Sequence, residues 1–486
     1  MIRPSLAIAS VATMLLAGCA SYSGIALEVK SLEATSLKGS DLAAIEIAWP
    51  KEDWWQSLQD PVLSNLITQA LADSPSLQTA MARVRRAQAS RDMTESSLSP
   101  QLDFNIASTR ERFSERGQTP PPYAGTTQNI NDLQIGAQWE LDFFGKNRET
   151  LKAALGELRA TEAENQAARM LLVTNVARSY YNLARLLAQR EVTGQRGQQR
   201  GELASLAKRR YQAGLDTRVE VESAQGAIPD NARDMAAIEE QISLARHALA
   251  ALVGQGPAAM AGLQPTLPAV GPLALPAALP ADLLGHRADV TAARWRVEAA
   301  THSLSAARAM FYPNVNLRGF TGFSSIGFGN WFDAGSRQPG IGLAVNLPLF
   351  DAGHLRSNYR VSAATVDSAV AAYNATLVDA LRDVADQLTS LQSVESQLAH
   401  QQTALSSAER SHELALQRYR AGISDRLTEL NAESNLIAQR RTAVELQGRW
   451  IDGRIHLIRA LGGGFGQPPL ATPALAEQPA AQANNN

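Results

Sequence analysis

One residue has both the type and the setting for a specific covalent reaction: Cys19, the only cysteine in 486 residues. A lone cysteine makes no internal disulfide. It closes the run Leu16-Ala17-Gly18-Cys19, behind Arg3 and a mostly apolar stretch from Leu6 to Leu16. That run matches the bacterial lipobox, so Cys19 is expected to become a lipidated mature N-terminus. Residues 1-18 are then a cleaved signal, too short to span a bilayer. Other reactive groupings are missing. His247, His286, His302, His354, His400, His412 and His456 contain no pair at i, i+4 ligand spacing. They are expected to be solvated helix residues, and no metal site is expected. There is no Gly-x-Ser-x-Gly and no Gly-Lys-Ser/Thr. Gly462-Gly463-Gly464-Phe465-Gly466 follows a helical pattern, whereas a phosphate loop precedes one. The chain does not read as an enzyme, and no cofactor is expected beyond the covalent lipid on Cys19. Charge is nearly balanced, 45 basic against 47 acidic residues, which argues against nucleic acid as a partner.

A second kind of site is a motif that occurs twice. Arg210-Tyr211-Gln212-Ala213-Gly214 returns as Arg418-Tyr419-Arg420-Ala421-Gly422, 208 positions later. Each copy ends a long proline-free helical pattern, Lys146 to Tyr211 and His354 to Tyr419. Each pattern corresponds to about 100 Å of helix at 1.5 Å per residue. Returning helices are expected from Arg218 to Val253, interrupted at Pro229, and from about Leu427 to Leu461. Each motif is therefore the tip of a helical hairpin, with glycine supplying the left-handed residue that ends the first arm.

Between these helices the apolar period changes from about 3.6 to 2. Leu102, Phe104 and Ile106 alternate with Asp103 and Asn105, and Leu133, Ile135, Ala137, Trp139 and Leu141 alternate with polar residues or glycine. Strands are expected at about 101-113, 128-142, 314-324 and 339-349, with a Gly/Ser/aromatic loop from Phe323 to Gly335. Strands this long and two-faced suit a tilted transmembrane sheet. Trp139, Phe143, Phe144, Phe311 and Tyr312 gather where strand meets helix, like an interfacial girdle. Helices are expected from Pro61 to about Leu98 and from Ala281 to Phe311. Trp49, Trp54 and Trp55 are expected to pack the N-terminal segment onto the main body.

The chain thus divides into a signal (1-18), a lipidated segment (19-60), a first repeat (61-253), a crossover linker (254-280), a second repeat (281-464) and a disordered tail (465-486). A duplication of this size predicts pseudo-symmetry. Four strands cannot close a bacterial barrel, and a helical hairpin cannot bury its own apolar stripe. Three chains around an axis would solve both problems.

These features resemble the TolC-like outer-membrane factors, in particular the OprM- and NodT-type efflux lipoproteins. The resemblance rests on the lipobox, Trp139-Glu140-Leu141-Asp142-Phe143-Phe144-Gly145-Lys146, Phe311-Tyr312-Pro313, Pro348-Leu349-Phe350-Asp351-Ala352-Gly353, both tips, and Ala460-Leu461-Gly462-Gly463. It implies an α+β membrane protein: a trimeric 12-stranded outer-membrane β-barrel, four strands per chain, continuing into a long α-helical periplasmic barrel. It also implies acylation (palmitate) at Cys19. Ala20 at the next position implies outer-membrane sorting. The implied partners are two further copies, outer-membrane lipid, a periplasmic adaptor and an inner-membrane transporter of the RND type. The expected function is passive conduction of substrates out of the cell. The alternatives are a non-conducting coiled-coil adhesion lipoprotein and the exit duct of a type I secretion system.

The resemblance places adaptor docking at Arg210, Tyr211, Ala213, Gly214, Arg418, Ala421 and Gly422. It places an aperture gate at the second tip, on the helix after Gly422; the gate candidates are Ser424, Arg426, Thr428, Glu429 and Asn431 past the glycine, with Tyr419 just before it. The family's usual aspartates fall six and nine residues past the glycine, where this chain has Thr428 and Asn431. The entrance is expected to present a neutral face. The alternative is a small rotation that makes Glu429 the pore ligand.

Overall fold

The computed structural model describes residues 21–32, 50–271 and 283–465. Cys19, Trp49, the end of the linker and the tail lie outside these residues. The helices are α1 (Pro61–Asp73), α2 (Pro75–Ser96), α3 (Lys146–Gln212), α4 (Arg218–Val253), α5 (Ala288–Ala309), α6 (His354–Arg420) and α7 (Arg426–Ala460). The strands are β1 (Gln101–Arg112), β2 (Thr127–Leu141), β3 (Asn314–Ile326) and β4 (Gly340–Asn346). Two compact units emerge, with boundaries inside α2, α3, α5 and α6.

The first unit gathers residues 82–162 and 292–374 with the segment 21–32. Its strands form one antiparallel sheet in the order β1-β2-β3-β4. The register aligns the apolar positions: Phe104 faces Ile135, Trp139 faces Leu317, and Leu317 faces Leu343. One apolar face therefore runs across all four strands, and it is open: Leu102 is 75% and Ile341 82% exposed. Phe320 is an exception, a large apolar residue on the polar face. It pairs with Gly136 on one side and Gly340 on the other, and its ring lies over Gly340, where a Cβ would come within 2.5 Å of it. β3 runs through Ile326, into the stretch expected to be loop, while β4 stops at Asn346, ahead of Pro348.

Below the sheet, α3 and α5 approach closely. A Cβ on Gly156 would lie 3.0 Å from that of Ala299. Segment 21–32 is strapped to α6: Asp367 Oδ1 accepts from the Val29 amide at 3.0 Å, and Asn374 Oδ1 from the Leu32 amide at 2.8 Å. Glu149 on α3 bonds His302 Nδ1 on α5 at 2.6 Å. Burial opposes the charge of Glu149, but hydrogen bonds from Lys152 and His302 outweigh it and hold its pKa below the ordinary 4.5. In the girdle residues, Phe144 stacks on Tyr312 at 5.0 Å, and Trp139 Nε1 donates to the Leu98 carbonyl at 2.9 Å.

The second unit holds the main core, in which Trp54, Trp55, Leu63, Ile67, Val176, Leu249, Trp450 and Ile451 are buried together. Asp60 caps α1 through the Val62 and Leu63 amides and also accepts from the Tyr180 hydroxyl at 2.8 Å. Burial, followed by that bond, raises the Tyr180 pKa. Three proline or loop expectations need correction. The helix expected from Pro61 to Leu98 is two, because Ser74 is extended ahead of Pro75. The helix expected from Ala281 likewise breaks at Arg287, whose guanidinium bonds Asp289 at 2.6 Å and the Ala460 carbonyl at 3.2 Å. Pro229 does not interrupt α4. It sits on an exposed stretch where solvent reaches the carbonyl its ring cannot serve.

Candidate functional site

Both tips lie in the second unit, and both are built the same way. Gly214 has φ 75 and Gly422 φ 72, the left-handed region. The amide of Leu215 reaches back to the Arg210 carbonyl, and that of Ile423 to the Arg418 carbonyl, each at 2.9 Å. This backbone pattern closes the ends of α3 and α6 and satisfies their last carbonyls. At the first tip, Arg210 pairs with Asp216 at 2.7 Å. Thr217 caps α4 in a reciprocal arrangement with Glu220. At the second, Asp425 caps α7, accepting from the Thr428 amide at 2.8 Å and its hydroxyl at 2.5 Å. These bonds, the hydroxyl first, hold the Asp425 carboxyl below its usual range.

The sequence-assigned docking residues Tyr211, Ala213, Gly214, Arg418, Ala421 and Gly422 are exposed, and Arg210 is half-buried in its ion pair. Leu215 and Ile423, one residue past each glycine, are 67% and 69% exposed. Sequence reasoning passed over them. The available signal was an apolar residue at the same place in both copies, where a water-facing turn would have a polar one.

Behind the tips the two repeats are tied together. Gln199 Nε2 on α3 donates to the Leu430 carbonyl on α7 at 2.9 Å. Arg426 binds Glu202 of α3, and its other arm reaches Glu429 at 2.5 Å. Its guanidinium also lies 5.4 Å from the Tyr419 ring centre. Burial works against the Arg426 charge, but Glu202 and Glu429 outweigh it and raise its pKa.

Glu429 is only 3% exposed. Besides Arg426 it meets His412 Nε2 of α6 at 3.2 Å. Glu433, one turn further along α7, has its pKa raised, first by burial and then by the Glu429 charge. This corrects two expectations. Glu429 points into the helix packing and does not offer its carboxylate to open space. The histidines are not simply solvated: His302, His412 and His456 are half-buried beside Glu149, Glu429 and Asp452. Glu149 and Glu429 stand 153 and 17 residues from their histidines and on other helices, so helical spacing does not show these pairs. Of the neutral positions, Asn431 and Thr428 are exposed and Ser424 is half-buried. The hydroxyl of Thr428 is already used by Asp425.

The family model for outer membrane efflux proteins matches residues 66–255 and 279–463. The chain belongs to this family. The two matched stretches follow the two repeats, one on each side of the crossover. Among curated relatives, the fusaric acid resistance protein FusA of Burkholderia cepacia is 36% identical, covering 73% of this chain and 68% of its own length. The multidrug resistance outer membrane protein MdtQ of Escherichia coli O157:H7 is 32% identical over 87% of this chain and 90% of its own. The outer membrane protein VceC of Vibrio cholerae has a similar structure, with TM-score 0.78 and 39% identity, covering 86% of this chain and all of VceC. The outer-membrane channel OprN superposes with TM-score 0.80 at 25% identity. The chain is thus an outer-membrane efflux protein with the α+β fold of the TolC-like channels, a family of channels rather than enzymes.

Proposed function

We propose that this chain is the outer-membrane channel of a tripartite efflux system. Three copies close a twelve-stranded barrel from four strands each. A lipid on Cys19 anchors the chain in the outer membrane, and most of its mass lies in the periplasm. The tips dock a periplasmic adaptor coupled to an inner-membrane transporter, of the RND type, which supplies the energy.

The single observation that carries this reading is the sheet. It has an apolar face open across all four strands, and β1 and β4 each pair on one side only. In lipid, an unpaired strand edge costs several kcal/mol per orphaned group, so a spanning sheet must close on itself. Further copies provide that closure, and the apolar face then meets lipid. The names of FusA and MdtQ support small toxic compounds as cargo over secreted proteins. The sheet also separates this reading from a coiled-coil adhesion lipoprotein, which needs no such face.

Deleting the chain in its native cell is expected to raise accumulation of a fluorescent efflux dye, with restoration by the wild-type chain. The purified protein should run as a trimer by native mass spectrometry. A monomer in detergent, together with unchanged accumulation, would overturn the reading.

A further inference from the structure

We propose that His412, Glu429 and Glu433 form a binding site for a borderline divalent cation, Zn²⁺ in the first instance, which clamps α6 to α7 behind the second tip. The three residues each offer one ligand atom, and these atoms all lie within 4.8 Å of one another. His412 Nε2 and Glu429 Oε1 are 3.2 Å apart. Two ligands held about 2.0–2.2 Å from a shared tetrahedral zinc ion stand about 3.3–3.6 Å apart, so this pair needs to open by only a few tenths of an ångström. Glu429 and Glu433 are four residues apart, on one face of α7, and the imidazole meets them from α6. Imidazole with carboxylate is a donor set that suits zinc.

Charge favours the same conclusion. The charged groups around Glu433 are Glu429, Glu202 and Arg426, with His412 beside them. Three carboxylates face one guanidinium, so with a neutral imidazole a divalent ion balances the cluster. Arg426 would keep Glu202 as its partner when Glu429 turns to the metal. The pattern was invisible as spacing, because the third ligand comes from the other arm of the hairpin. The site lies within one chain and uses none of the neutral gate positions Ser424, Thr428 and Asn431, so it differs from any ring formed around an axis.

The test uses the full-length protein purified through a tag without histidines, stripped of metal and titrated calorimetrically with Zn²⁺ at neutral pH. One ion per chain is expected. His412→Ala and Glu433→Gln should each weaken binding roughly 100-fold, one ligand's share of a structural zinc site's affinity. Ser434→Ala, at an exposed position of the same helix, should leave the Zn²⁺ affinity unchanged. Absence of stoichiometric binding, or a His412→Ala protein that titrates like wild type, overturns the proposal. If His412→Ala does not assemble, Glu433→Gln and the visible spectrum of Co²⁺-loaded wild type decide. Wild-type binding with no d–d bands of a low-coordinate, nitrogen-ligated ion would equally overturn it.

Discussion

Arg426→Ala tests what holds the start of α7 in place behind the second tip. The guanidinium joins three groups: Glu429 on its own helix, Glu202 on α3 and the ring of Tyr419. These do not contribute equally. The Glu202 side chain is 55% exposed, so that pair is worth about 0–1 kcal/mol. The Tyr419 contact adds about 0.5–1 kcal/mol. The Glu429 side chain is 4% exposed, and stranding a buried carboxylate costs about 3–5 kcal/mol. Arg426 is itself 27% exposed, so water entering its place softens that figure to about 2–3 kcal/mol. The cost is local to the start of α7, far from the main core. Hydrogen exchange of peptides covering residues 405–435 should therefore speed up by roughly 100-fold, since each 1.4 kcal/mol is a factor of ten. Glu202→Gln should speed the same peptides by no more than roughly fivefold. Equal effects of the two substitutions, or no effect of Arg426→Ala, would refute the claim that the buried Glu429 pair dominates.

Three further outcomes follow from the same physics. Arg287→Ala removes a guanidinium 11% exposed that serves Asp289, Asp383 and the Ala460 carbonyl. Both carboxylates keep some solvent, so the expected loss is about 2–4 kcal/mol by denaturant unfolding. Gly322→Ala would place a Cβ 2.0 Å from the Leu133 carbonyl oxygen, forcing β2 and β3 apart. Its outer-membrane trimer should fall sharply on a semi-denaturing gel, while Gly342→Ala, with open space around it, should assemble normally. Glu149 has a folded pKa below its ordinary 4.5, so its contribution is complete above that value and fades as pH falls through the folded one. Thermal melts of wild type and Glu149→Gln should differ at neutral pH and converge in acid.

Strand positions could be read closely in the sequence because a period of two has few alternatives, and the register confirms which residues share a face. The tips were equally legible: a glycine at the end of a long helical pattern has one common use. Prolines were less so. Pro75 breaks a helix, with Ser74 extended ahead of it, and Pro229 does not, and which of the two a proline does depends on its surroundings, which sequence does not show. The end of β4 was misplaced because Pro348 costs the ladder a donor before the apolar alternation itself stops. Least legible was the cluster at Glu429. Its members come from α3, α6 and α7, and only packing makes a glutamate next to Thr428 a buried group. Phe320 is similar: nothing in its own strand shows that Gly340 on the neighbouring strand makes room for its ring.

The central claim is that this chain conducts, and single-channel recording of the purified protein in a planar bilayer tests it most directly. Insertion should give discrete conductance steps, one per trimer, that scale with salt concentration and become larger or longer-lived in Arg426→Ala. A trimer that inserts stably in the bilayer yet passes no current, in wild type and in Arg426→Ala alike, would contradict it.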